Sequence, residues 1–179
     1  MFFHPLPLRD AFLISLDQRK DERGMFARVF CRQEFSELGL EYRYVQANLS
    51  TNDNAGTIRG LHYQKSPHME VKLVRCIRGA IFDVIVDLRE ESASFFHWYG
   101  VELSEENGLM LYVPRGFAHG YQTLRNNASV HYMVSAYYAP GFEGGCRYDD
   151  PALGIKWPFA VSSISDKDAA WPLLTKTNK

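Results

Sequence analysis

The sequence is poor in the features that define several large protein classes. Only three cysteines occur in 179 residues. Cys31, Cys76 and Cys146 are odd in number and widely spaced, with no Cys-x-x-Cys pair. Neither a disulfide framework nor a cysteine zinc site is expected from them, and reduced thiols in a cytoplasmic protein are. Charge of one sign is also lacking. The formal net charge is −1, which leaves no basic stripe for a nucleic acid. No apolar run approaches the roughly 20 residues of a membrane-spanning helix. The stretch Met1-Phe-Phe-His-Pro-Leu-Pro7 has no charged region followed by an apolar one, so no secretion signal is read there. No Gly-x-Gly-x-x-Gly follows a strand-like run, so no nicotinamide site is visible. Repeats, low-complexity tracts and internal linkers are missing too. The chain 1–179 therefore reads as a single domain, long enough to bury a sizeable core.

Aromatic residues, by contrast, are plentiful at 14%, which suits a strand-rich core. Short alternating runs fill the chain. Phe12, Ile14 and Leu16 share a face of a first strand, and Asp21-Glu-Arg-Gly24 has the chemistry of a tight turn. A strand is expected over Phe26–Phe30, and a short helix over Gln33–Leu38 ended by Gly39. Tyr42–Leu49 alternates, with Gln46 and Asn48 on one face and Val45, Ala47 and Leu49 on the other. The polar face is either the solvent side, the commoner reading, or the lining of a polar cavity. Val71–Ile77 and Ala80–Leu88 read as two strands joined in a hairpin at Arg78-Gly79. In the second, Phe82, Val84, Val86 and Leu88 oppose Ile81, Asp83, Ile85 and Asp87, so both faces are largely apolar. Strands are also expected over Phe95–Leu103, Leu109–Val113, Phe117–Leu124 and Ser129–Tyr138, with an edge strand over Gly144–Tyr148. Ser165-Asp-Lys-Asp168 has the form of a helix cap. About ten short strands with almost no helix make an all-β sandwich or barrel.

The stretch Gly56-Thr-Ile-Arg-Gly-Leu-His-Tyr-Gln64 carries the chemistry. It sets Arg59 and His62 on one strand, and Lys72 opens the next apolar alternation. Two cations and a neutral base on neighbouring strands suit a site that binds an anion and moves a proton. Imidazole titrates near neutrality, so His62 suits the base, although a core histidine that merely donates a hydrogen bond fits the bare sequence equally. The series Lys72, Val74, Cys76 puts the lysine on a small apolar face, which favours the interior over a solvated strand lysine. Tyr132 shares a face with Val130 and Val134, where an ordinary core tyrosine is the plain reading.

The phrase Pro114-Arg-Gly-Phe-Ala-His119 resembles the second motif of the cupin jelly rolls, a sharp turn that aims a histidine into the barrel. Many cupins hold a metal there. The first metal motif needs a His-x-His pair, and His62 is followed by Tyr63-Gln64, with only His68 and Glu70 nearby as substitutes. No metal is expected.

Eight blocks in order then carry a more specific resemblance. They are Asp21-x-Arg23-Gly24-x-Phe26, Gln46-x-Asn48-x-Ser50, Arg59-Gly-Leu-His62-Tyr-Gln64, Lys72-Leu-Val-Arg75, Gly79-x-x-Phe82-Asp-Val-x-Val-Asp-Leu88, Val113-Pro-x-Gly-Phe-Ala-His119-Gly, Tyr137-Tyr-x-Pro140 and Asp149-Asp-Pro-x-x-x-Ile155-x-Trp-Pro158. Together, over about residues 10–172, they resemble the dTDP-4-dehydrorhamnose 3,5-epimerase family. That resemblance implies a metal-free, cofactor-free homodimeric jelly roll with a few short helices, acting on a 4-keto-6-deoxy sugar carried by a nucleoside diphosphate.

The resemblance also implies roles. The C4 ketone acidifies the hydrogens on C3 and C5. His62 would take a proton, Lys72 would hold the enolate oxygen, and Tyr132 would return a proton from the opposite face. Asp168 matches the carboxylate that holds the histidine ring, although it is equally the fourth residue of a capping box. Arg59 would bind the diphosphate, His119 would be a further substrate ligand, and Gln46 and Asn48 would line the cavity. Arg23 and Phe26 match positions that reach the nucleotide across the dimer, from an exchanged N-terminal segment.

Some positions depart from the family pattern. Arg28 stands where many members have Glu, which leaves dTDP- and CDP-linked sugars both open. Met133 and Ala136 replace a Lys and an Asp, and Pro67-His-Met-Glu70-Val-Lys72 replaces a Gln-Gly-Lys approach. Inversion at C3, at C5 or at both fits such a sub-branch. A metal-dependent cupin and a non-catalytic sugar-binding cupin are the readings from other classes.

Overall fold

The computed structural model describes residues 1–174. Two antiparallel sheets lie face to face. The six-stranded sheet runs β1 (Phe2–Pro5), β2 (Phe12–Ser15), β10 (Met110–Val113), β7 (Lys72–Arg78), β12 (Ala128–Val134), β5 (Gln46–Asn52). The five-stranded sheet runs β13 (Glu143–Gly145), β6 (Ile58–Gln64), β11 (Phe117–Thr123), β8 (Ala80–Asp87), β9 (Trp98–Ser104). A small hairpin, β3 (Arg19–Asp21) with β4 (Gly24–Phe26), stands apart, and α1 (Arg32–Glu37) and α2 (Asp166–Ala169) are the two short helices of the described residues. The all-β expectation holds.

The hairpin expected at Arg78-Gly79 does not. β7 pairs with β10 and β12, whereas β8 pairs with β9 and β11. Gly79 is instead a corner where the chain leaves one sheet for the other. Its φ of 70° and the 3.2 Å that would separate an added Cβ from the Ala128 Cα both favour glycine. Several strand boundaries also move, among them the start of β9, at Trp98 rather than Phe95, and the end of β13, at Gly145 rather than Tyr148. The strand expected over Phe26–Phe30 ends at Phe26, because Phe30 turns down onto Phe35 at 5.1 Å. β5 starts at Gln46 rather than Tyr42, with Tyr42 and Tyr44 packed over the six-stranded sheet. β12 stops at Val134, short of Tyr138.

Strand alternation sorts the side chains into three apolar layers. Between the sheets, Val74, Leu111 and Val130 meet Ile81, Ile85 and Leu103. Each is fully buried, which stabilises by about 1.5–3 kcal/mol per large side chain. Outside the six-stranded sheet, α1 presses Phe35 onto Ile14, Leu73 and Met110. Outside the five-stranded sheet, the C-terminal tail lays Trp157 and Ile155 over Val84, Val86 and Ala118. The tail then returns alongside β6, tied by Ile58 N–H to the Ser163 carbonyl at 2.9 Å and by Ser162 N–H to the Gly56 carbonyl at 3.0 Å. That return delivers α2 to the end of the sandwich where the inner faces turn polar.

Candidate active site

The alternation that buries Val74 and Cys76 also turns Lys72 inward, and Tyr132 lies between the inward Val130 and Val134. From the other sheet, His62 and His119 stand opposite one another in the β6–β11 register. These residues surround a cavity with two adjoining lobes, of about 430 and 280 Å³. His62, Lys72, Tyr132 and Lys167 border both lobes.

His62 Nε2 meets Asp168 Oδ1 at 2.6 Å. The second carboxylate oxygen accepts the Gly60 N–H at 3.1 Å, and the Asp168 N–H donates to Ser165 Oγ at 3.1 Å. The capping role and the histidine-holding geometry therefore coexist in one residue. Burial pushes the Asp168 carboxyl up, but the bonds from His62 and Gly60 outweigh it and hold the group below the ordinary carboxylate range. With Nε2 committed to Asp168, Nδ1 is the nitrogen left for a ligand.

Lys72 is buried, with its ammonium 3.2 Å from Glu70 Oε1 and 3.4 Å from the His62 carbonyl. Glu70 is fixed in turn by Gln64 Nε2 at 3.0 Å. The Tyr132 phenol is pushed up, first by burial and then by Tyr121 and Glu70, so it keeps its proton. His119 Nε2 lies 3.0 Å from both oxygens of Asp83. Asp83 is fully buried, and burial raises its pKa against the opposing effect of His119 and Lys72. Arg59 donates to Asn52 Oδ1 at 2.7 Å and to the Thr51 carbonyl at 3.4 Å. Among the described residues it has no carboxylate partner, unlike Lys72 with Glu70 and Lys167 with Glu143. It is the cavity cation best placed to meet an anion.

Eight of the ten residues singled out in the sequence meet here. His62, Lys72, Tyr132, Gln46 and Asn48 line the larger lobe, and Arg59, His119 and Asp168 the smaller. The polar face of β5 is thus the cavity lining. Its apolar face is the exposed one, with Leu49 63% accessible. Gln46 also accepts the Tyr138 N–H at 2.9 Å. Arg23 and Phe26 lie outside this cavity. Arg23 is paired with Asp21 at 2.6 Å, and Phe26 is 71% exposed on the β3–β4 hairpin. Arg28 is paired with Glu34 at 3.1 Å. Asp83, Glu70 and Gln64 take part without having been singled out as site residues, whereas Ser165 takes the capping place expected of it. Asp83 left a signal, a carboxylate between Ile81 and Ile85 on one strand face. Among the described residues no group of three His, Cys, Asp or Glu side chains is arranged to hold a metal ion, and no helix is long and apolar enough to cross a membrane.

Solved structures define the class. A Bacillus anthracis dTDP-4-dehydrorhamnose 3,5-epimerase with TDP and PPi bound matches with a TM-score of 0.93 at 42% identity, covering 97% of this chain and 99% of that one. A Legionella pneumophila dTDP-6-deoxy-D-glucose-3,5-epimerase in complex with dTDP-4-keto-L-rhamnose matches with a TM-score of 0.92 at 39% identity, covering 99% and 94%. This is the fold of the cupin-type carbohydrate epimerases, isomerases that work on nucleotide-linked sugars. Sequence comparison narrows the class. The family model described as dTDP-4-dehydrorhamnose 3,5-epimerase matches residues 5–176. The Salmonella typhimurium dTDP-4-dehydrorhamnose 3,5-epimerase is 46% identical over 156 residues, 86% of this chain and 85% of that protein. The chain belongs to the dTDP-4-dehydrorhamnose 3,5-epimerase family.

Proposed function

We propose that the chain inverts C3 and C5 of dTDP-4-dehydro-6-deoxyglucose, giving dTDP-4-dehydrorhamnose. One observation carries this reading. The base and the acid come from opposite sheets, His62 from β6 and Tyr132 from β12, and both border the same cavity beside the Lys72 ammonium.

The steps follow from the groups. His62 Nδ1 takes a proton from the carbon next to the C4 ketone, and the C–H electrons move into the enolate. Asp168 steadies the imidazolium through Nε2. Lys72 holds the enolate oxygen, and its pull strengthens as charge develops there. The electrons return to carbon as Tyr132 gives its proton from the other side, which inverts the centre. The phenolate and imidazolium are reset by exchange with water, and the cycle repeats at the second carbon. Arg59 and His119 bind the polar and anionic groups of the substrate, while Gln46 and Asn48 line its path.

The active unit is a homodimer in this reading. Phe26 and Leu49 are apolar and exposed, and the β3–β4 hairpin holds Arg23 and Phe26 away from their own cavity. A partner's cavity would receive them beside the nucleotide.

The test is incubation with dTDP- and CDP-linked 4-keto-6-deoxyglucose in deuterated water, followed by NMR. Deuterium at both C3 and C5, with accumulation of the rhamno product from the dTDP sugar, is expected. Exchange at one carbon only would replace the double epimerase with a single one. No exchange with either sugar would overturn the reading.

A further inference from the structure

The proton-transfer dyad is assembled from distant pieces. His62 is anchored in the middle of a sheet, but Asp168 rides on α2, a helix of four residues. So short a helix has little stability of its own. Something must hold it against β6.

Trp171, three residues past Asp168, is well placed to do so. β13 pairs directly with β6, setting Gly145 opposite His62. The indole lies on Gly145 so closely that a Cβ added there would sit 2.1 Å from Cε2 and 2.3 Å from Nε1. Only a glycine leaves that seat open. From it, the ring meets the His62 imidazole edge-on at 6.4 Å between centroids. Lys167, the residue before Asp168, lies 5.7 Å from the indole centroid and pairs with Glu143 of β13 at 3.0 Å. Among the described residues the buried indole N–H meets no acceptor.

We propose that Trp171 is a positioning residue for the dyad: seated on Gly145, it pins the turn of α2 and holds Asp168 on the His62 ring. This inference rests on the reading of His62 as the base. Trp171 acts through Asp168 and has no part in the proton transfer itself.

The test is a double-mutant cycle in the full chain, with kcat and KM measured on the keto sugar and binding of dTDP measured separately. Trp171→Ala is expected to lower kcat by about 10–10²-fold, the scale on which small misplacements of catalytic groups act. KM and dTDP binding should change by less than about threefold, and Trp171→Phe should restore most of the loss. Gly145→Ala, which keeps the indole but removes its seat, should lower kcat likewise. In an Asp168→Asn background, either change should cost almost nothing more. Retention of dTDP binding shows that each variant is folded. Should Trp171→Ala fail to bind dTDP, Gly145→Ala and Trp171→Phe carry the cycle. Additive losses, or a rise in KM with kcat unchanged, would make Trp171 an ordinary cavity wall and overturn the proposal. Failure of the underlying reading looks different: His62→Ala would then still exchange deuterium.

Discussion

Two histidines face each other across the β6–β11 pair, and each has its own aspartate. His62 and His119 are register partners, yet their surroundings diverge. The His62 side chain is 43% accessible and that of His119 only 9%. Asp168 is held low by a backbone N–H and the imidazole, whereas burial pushes Asp83 up. An accessible ring backed by a stabilised carboxylate suits a group that must gain and lose a proton in each turnover. A largely buried ring backed by a fully buried carboxylate suits a fixed donor. Two similar pairs one ladder step apart are thus fitted to different work by solvent and hydrogen bonding.

The largest effect should come from breaking the first pair. His62→Ala is expected to abolish exchange at both carbons, a loss of at least the roughly 10²–10⁴-fold that a positioned base contributes, while dTDP still binds. Unchanged exchange would remove His62 from the chemistry. Tyr132→Phe should separate two events that His62→Ala loses together. Deuterium exchange should persist as His62 takes and returns a proton on one face, while inversion falls by about 10²–10⁴-fold. Wild-type inversion in that variant would return Tyr132 to the core. His119→Ala should act on binding, raising KM by about tenfold, the scale of a hydrogen bond to a charged group, with a smaller change in kcat. If kcat fell as far as in His62→Ala, the two histidines would share the chemistry and the contrast would be lost.

A smaller effect concerns stability against pH. The depressed Asp168 contributes stability that is present above the ordinary carboxylate value of about 4 and is lost as pH falls through its lower folded value. The raised Asp83 acts the other way. It costs nothing below that ordinary value, and stability declines as pH rises through its higher folded value. Urea unfolding of Asp168→Asn and Asp83→Asn at pH 3 to 7 should therefore give differences from the parent that slope in opposite directions. Parallel slopes would erase the electrostatic half of the comparison. Prolonged chelation should have no effect on turnover, since among the described residues no three His, Cys, Asp or Glu side chains are grouped to hold a metal ion. Loss on chelation, restored by one divalent ion, would mean a metal enzyme.

The sequence made the motif residues legible because their spacing survives folding. Alternation by two put Lys72 and Tyr132 on inward faces, and both line the cavity. It was silent on what those faces meet. Arg78-Gly79 reads the same whether two strands pair or pass to opposite sheets, because the information lies in partner strands far along the chain. The β5 faces were ambiguous for a related reason: polar-in and apolar-out is the reverse of the common pattern, and it holds here because the inner face borders a cavity. Asp83 was visible on a largely apolar face but had no partner until β11 was laid beside it. Trp171 left no local signal, since its seat is a glycine 26 positions earlier on another strand.

The corner at Gly79 has a kinetic consequence. By sending consecutive strands to opposite sheets, it draws the site from distant parts of the chain, and His62 and Asp168 are 106 residues apart. Non-local pairing of this kind slows folding, because loops must close before their contacts form. No early hairpin can hold a working base, acid and lysine together. Recovery of turnover during refolding should therefore trail the recovery of β-sheet signal, and enzymatic activity would serve as the clock for the last closure of the two sheets.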